Sequence, residues 1–83
     1  MEQIGRTAPQ IGAIVRRRRR QHGLTQAQLG ARIGLRQATV SKLEAGQPAT
    51  QLRTLLDALA ALDLEIVVRP RTKASPNEIE ELF

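Results

Sequence analysis

The sequence predicts a mainly α fold: a bundle of four to five helices plus one C-terminal β-strand that pairs across a homodimer. Three observations lead there. Up to residue 63, apolar residues recur at helical spacing in consecutive short segments punctuated by Thr, Gly and Pro. In LEIVVR, residues 64–69, the period changes to two, and it does so nowhere else. The chain has 83 residues and no cysteine. A domain of that size buries only about 60% of the surface its unfolded chain exposes, and disulfides cannot compensate here, so a second copy is expected.

Each element has its own signals. Thr7 followed by Gln10 has capping-box spacing, and Pro9 is tolerated in the first turn of the helix they open. Ile11, Ile14 and Val15 form its apolar face, and Gly23 supplies a left-handed stop after His22. The second helix, over 26–33, starts more sharply: Thr25 and Gln28 complete a capping box, and Leu24 and Leu29 occupy the positions of a hydrophobic staple. Gly34 breaks it and Leu35 tucks inward. A third helix follows from Arg36 or Gln37 to Ala45, ended by Gly46 and Pro48. Thr50 can cap a fourth helix, in which Leu52, Leu55, Leu56, Leu59 and Leu62 recur as core.

In residues 64–69, Leu64, Ile66 and Val68 alternate with Glu65, Val67 and Arg69. A lone strand leaves its backbone groups unpaired, and its cheapest partner is the same strand of a second copy. Leu64, Ile66, Val67 and Val68 are therefore the expected dimer interface. Residues 70–83, PRTKASPNEIEELF, are polar, charged and punctuated by two prolines, which suits a flexible tail. The expected organisation is a helical domain over 1–63, a dimerising strand over 64–69 and the tail.

Charge points to the partner. Residues 1–46 carry nine basic and two acidic side chains, whereas residues 47–83 carry four and six. One half suits a polyanion and the other does not. Phe83 is the sole aromatic residue, so the stacking platforms that single strands and unpaired RNA bases require are missing, and double-stranded DNA is the better partner. The N-terminal MEQIGRTAPQ lacks an apolar stretch flanked by basic residues, and no run approaches the roughly 20 apolar residues of a membrane span. A cytoplasmic, nucleoid-associated protein that does not engage a membrane is expected.

Two short helices joined by a turn at Gly34, with Leu29, Ile33, Leu35, Val40 and Leu43 inward, have the spacing of a helix-turn-helix. An ordinary helical hairpin is the plainer alternative, which the cap, staple, turn glycine and charge asymmetry together disfavour. At 100° per residue, Val40 inward places Ala38, Ser41, Lys42 and Ala45 on the opposite face, with Gln37 projecting from the first turn. That face is polar yet almost uncharged. It suits base edges: a glutamine amide pairs with adenine N6 and N7, an alanine methyl meets a thymine methyl, and Lys42 or Arg36 reaches guanine or phosphate. Gln26, at the start of the second helix, is placed to grip a phosphate. Gln28 and Thr39 complete the candidate DNA contacts.

The stretch LTQAQLGARIGLRQATVSKLEAG resembles the lambda-repressor-like (XRE/Cro) helix-turn-helix family. The likeness extends further. The leucine-rich fourth helix, the terminal strand, the ASP tail ending in an aromatic residue and the phrase IGLRQATVSKLE are similar to the HipB antitoxins over nearly the full length. This resemblance implies a homodimer that represses its own operon from an inverted-repeat operator and binds HipA, a serine/threonine kinase toxin. It places Arg36, Gln37, Ala38 and Ser41 at base-contacting positions, pairs Arg19 with Glu44, and makes LEIVVR an intersubunit β-lid. It also makes Leu82 and Phe83 a docking point for the toxin or a handle for a protease. Two residues depart from the pattern: Gly30 stands where the wider family usually has alanine, and Arg18 where an apolar residue is usual. A stand-alone XRE-type repressor and an interaction module that has lost DNA binding remain as alternatives.

Arg16 to Arg20 cannot share one helix face, so some must turn toward the core. For the others, phosphate contact and a solvated helix end both stay open. His22, the one histidine, is most simply a helix cap, and no second imidazole, thiol or carboxylate cluster accompanies it. Neither a metal, a cofactor nor a catalytic role is expected.

Overall fold

The computed structural model describes residues 2–71. Four helices lie among them: α1 (Ala8–Gln21), α2 (Gln26–Ile33), α3 (Gln37–Glu44) and α4 (Leu52–Ala61). Side-chain oxygens open the first two. Thr7 Oγ1 accepts the Gln10 N–H at 3.2 Å, although Gln10 Oε1 reaches one residue further back than a capping box requires, accepting the Arg6 N–H at 2.7 Å. The box of α2 is complete, with the Gln28 N–H on Thr25 Oγ1 at 3.1 Å and the Thr25 N–H on Gln28 Oε1 at 2.8 Å.

Three helices end alike. After α1, α3 and α4 the chain steps into the left-handed region at Gly23, Gly46 and Asp63, and two backbone bonds close back on the last turn. These run from Leu24 to Arg19 and Gly23 to Arg20, from Gln47 to Lys42 and Gly46 to Leu43, and from Leu64 to Leu59 and Asp63 to Ala60. Each is a Schellman motif, satisfying carbonyls that the helix leaves without partners. Gly34, with φ 70°, ends α2 and opens the tight turn to α3.

The start of α4 corrects the sequence reading. Thr50 does not cap it. Its backbone N–H closes a turn onto the Gln47 carbonyl at 3.2 Å, so helical geometry begins one residue later, with Gln51 at the N-cap and no side-chain cap bond.

Val15, Leu29, Val40, Leu43, Ala58, Leu59 and Leu62 form the core, with Leu24, Ile33, Leu55 and Leu64 packed against it. α3 lies against α1 and α2, and α4 packs on α2. The leucine stripe of α4 is wider than the bundle covers. α4 turns Ala58 inward instead of Leu56, and Leu52 sits in its first turn, so these two leucines are 65% and 45% exposed for Leu52 and Leu56 respectively. The strand expected over 64–69 is also not formed in the single chain. Leu64 is half-buried, residues 65–71 are exposed, and no strand occurs among the described residues. A ladder needs a second strand, and the one anticipated belongs to another copy. Leu82 and Phe83, and all the tail beyond Arg71, lie outside the described residues.

Two close approaches set the helix geometry. A Cβ on Gly12 would lie 2.5 Å from the Glu44 carbonyl oxygen and 2.6 Å from that of Leu43, so α1 crosses the last turn of α3 at the one residue that permits it. A Cβ on Gly30 would lie 2.5 Å from the Leu35 carbonyl oxygen, which accounts for glycine where alanine is usual: here the turn folds back onto α2. Because the atoms met at Gly12 are backbone, Gly12→Ala should destabilise the domain by about 1–3 kcal/mol despite alanine's better helix propensity. Thermal unfolding followed by helical circular dichroism checks this; an unchanged midpoint would show that α1 can slide away from α3 at no cost.

Candidate nucleic-acid interface

The interface is built outward from a buried ion pair. Among the five consecutive arginines only Arg19 is buried. Its Nε donates to Glu44 Oε2 at 2.7 Å and its Nη2 to Glu44 Oε1 at 2.9 Å. Nη1 donates to the Leu24 carbonyl at 2.7 Å. The hydrogen bonds that Arg19 donates to Glu44 raise its pKa above the ordinary value, with burial opposing and the carboxylate's charge adding, so the guanidinium stays charged. The bidentate fork ties α1 to the end of α3 and to the loop that opens α2.

From this pair a chain of side-chain bonds runs to the surface. Gln26 Nε2 donates to Glu44 Oε1 at 3.2 Å, and Gln37 Nε2 donates to Gln26 Oε1 at 2.7 Å. The first residue of α2 is thereby joined to the first residue of α3. Beside Gln37, Ala38 and Lys42 are exposed, Ser41 and Thr39 are half-buried, and Val40, Leu43 and Glu44 face inward. Arg36, exposed, occupies the N-cap of α3. Six predicted residues therefore share one outward region: Gln26, Arg36, Gln37, Ala38, Ser41 and Lys42. Gln28 is exposed but its carbonyl is held in the α2 capping box, while Thr39 lies partly turned toward the bundle.

The other arginines separate by environment. Arg18 is half-buried, and its Nε donates to the Leu62 carbonyl at 2.9 Å. It thus satisfies the end of α4, which explains a cation where an apolar side chain is usual. Arg16, Arg17 and Arg20 are exposed. His22 is the C-cap of α1, its backbone N–H bonded to Arg18 and Arg19 carbonyls. Among the described residues no group of three or more His, Cys, Asp or Glu is arranged to hold a metal, and no helix is long and apolar enough to cross a membrane.

Reading the residues alone misses Glu44 and Gly12. A signal for Glu44 exists: it stands four residues after Val40 and one after Leu43, an inward position where a charge requires a partner. For Gly12 there is none, because the carbonyls it faces come from a helix some thirty residues distant in sequence.

A helix-turn-helix family model matches residues 15–68. Antitoxin HipB of Escherichia coli is 36% identical over 63 residues, which cover 76% of this chain and 72% of that protein. An uncharacterized HTH-type transcriptional regulator of Sinorhizobium fredii is 44% identical over 48 residues, 58% of this chain and 24% of that one. Among solved structures, the HipB–O4 20mer complex aligns with a TM-score of 0.78 at 30% identity, covering 86% of this chain and all (100%) of that chain. A HipA–HipB–O2–O3 complex gives the same TM-score of 0.78, identity of 30% and coverage of 86% and 100%.

Removing one member of a buried pair leaves an uncompensated charge, so Arg19→Ala and Glu44→Ala should each cost about 3–5 kcal/mol in urea unfolding. The double change to Arg19→Met and Glu44→Leu should recover much of that loss, because both desolvated charges then disappear. Single variants as stable as the parent would show that water reaches the pair.

Proposed function

The chain belongs to the helix-turn-helix family and, within it, to the HipB antitoxins, and on that premise we propose that it is a dimeric, sequence-specific DNA-binding repressor and the antitoxin of a type II toxin–antitoxin pair. Its toxin partner is a HipA-like serine/threonine kinase. The observation that carries the DNA-binding part is the outward face of α3, where Gln37, Ala38 and Lys42 are exposed, Ser41 is half-buried beside them and Gln26 is bonded to Gln37. α3 enters the major groove, Gln37 and Ser41 meet base edges, Ala38 meets a thymine methyl, and Arg36 and Lys42 reach guanine or phosphate. Arg16, Arg17 and Arg20, at the end of α1, supply a non-specific attraction to the backbone.

A second copy completes the molecule. Ile66, Val67 and Val68 are 50%, 69% and 92% exposed on an extended segment without a strand partner. Pairing of two copies along 64–69 would cover these side chains. Two recognition helices related by a two-fold axis read an inverted repeat whose half-sites lie about 34–36 Å apart or a multiple of that. The chain contributes binding only: any phosphoryl transfer belongs to the kinase, which it holds in the repressor complex in the cytoplasm. The tail ending in Leu82 and Phe83 is the proposed toxin contact, with protease recognition as its other use.

Co-expression with the adjacent reading frame tests the pairing. The neighbour should be toxic alone, harmless beside this chain and retained on it during purification, and truncation before Ala74 should weaken retention while leaving operator binding nearly intact. If nothing is toxic and nothing is retained, the protein is a stand-alone XRE-type repressor.

The dimer has its own test. Val68→Asp should give a folded monomer by sedimentation and reduce inverted-repeat affinity by at least about tenfold, since two linked half-sites each gain from the other's binding. A variant that stays dimeric would move the interface elsewhere, and binding indifferent to inverted repeats would favour an interaction module over a repressor.

A further inference from the structure

We propose that Glu44 is a positioning residue for sequence readout: through Gln26, its buried carboxylate fixes which end of the Gln37 amide faces DNA, and so favours adenine over guanine at that base pair. This deepens the DNA-reading assignment above and rests on it.

The argument follows hydrogen-bond polarity along the chain of contacts. An ionised carboxylate only accepts. Glu44 Oε1 receives Arg19 Nη2 at 2.9 Å and Gln26 Nε2 at 3.2 Å, so Gln26 must turn its NH₂ group inward. Its carbonyl then faces the other way, toward α3. A carbonyl also only accepts, which obliges Gln37 to turn its own NH₂ group toward Gln26, at 2.7 Å. The polarity is therefore dictated by the acceptor-only carboxylate at the head of the chain. Arg19 anchors the sequence, because the bidentate guanidinium holds both carboxylate oxygens in place.

One amide proton of Gln37 is thus engaged, leaving a single N–H and the carbonyl for DNA. In the major groove adenine presents one donor, N6, and one acceptor, N7, whereas guanine presents two acceptors, O6 and N7. One donor and one acceptor match adenine. Guanine needs two donors, and the second proton is held by Gln26. Freed from Gln26, the amide regains both protons and its rotational freedom, and guanine becomes an acceptable partner.

The test uses the full chain and a library of duplexes with randomised inverted repeats. Gln37→Ala first identifies the base pair that Gln37 reads; if it alters preference at no position, the DNA-reading assignment itself fails and the relay falls with it. At that pair the parent should prefer A·T over G·C by at least about fivefold. Gln26→Met, which keeps length but removes both polar ends, should bring that ratio to within about twofold. Affinity for every sequence falls together if Gln26 only grips a phosphate or only stabilises the fold, so an unchanged ratio in Gln26→Met overturns the proposal even where binding weakens. Glu44→Gln, whose amide can present either end to Gln26, should narrow the ratio in the same way. If Glu44→Gln fails to fold, Arg19→Lys, which keeps the charge but loses the fork that holds the carboxylate, should narrow the ratio instead, and an unchanged ratio there overturns the role of Glu44.

Discussion

The Arg19–Glu44 ion pair is the constraint on which the rest of the bundle depends. Seven buried apolar side chains, two of them valines and one an alanine, provide too little surface to hold three helices in a unique register by shape alone. The guanidinium adds direction. Its fork has fixed geometry, and its three contacts lie on the end of α3 and the loop before α2. Desolvating two charges is expensive, so such a pair stabilises only when its bonds are nearly all made. Here no buried side-chain nitrogen or oxygen among the described residues lacks a partner, which is the condition under which a polar centre specifies one packing over its neighbours.

The backbone supports the same arrangement. Gly12 allows α1 to sit directly on the carbonyls of Leu43 and Glu44, and that contact brings Arg19, two turns further along α1, level with the Glu44 carboxylate. The Schellman endings at Gly23 and Gly46 then turn the chain away within a residue or two. Helices as short as the eight residues of α2 and α3 are not stable by propensity. They persist because each end is closed by a cap, a left-handed turn or a tertiary contact.

Local chemistry was legible in the sequence and long-range geometry was not. The bounds of α2 follow from Thr25, Gln28 and Gly34, whose bonds span only a few residues, and the inward placement of Val40 and Leu43 follows from helical spacing alone. Thr50 misled because a cap competes with the turn before it, and the Gln47–Thr50 turn wins. Leu52 and Leu56 misled for a different reason: periodicity marks an apolar stripe but does not say whether this chain or another covers each part of it. The spacing of Glu44 from Val40 and Leu43 marks a charge at an inward position, but only the family likeness named Arg19 as its partner. Arg18 reads as an anomaly until the Leu62 carbonyl appears beside it.

The last contact links the core to the extended segment after α4. Arg18 holds the final turn of α4 through Leu62, and the Leu64 N–H closes onto Leu59, so the chain leaves the bundle from an anchored point with Leu64 still packed in the core. Residues 66–68 begin only two residues beyond that anchor. A second copy paired along this segment would therefore be held at a defined angle to the bundle instead of trailing on a flexible linker. Arg18 and Arg19 are neighbours on α1, one fixing the departure of the extended segment after α4 and the other the seating of α3. The spacing of two recognition helices would then be set by one short stretch of α1, which gives a physical reason for two successive arginines to face inward in a domain whose remaining arginines there face solvent.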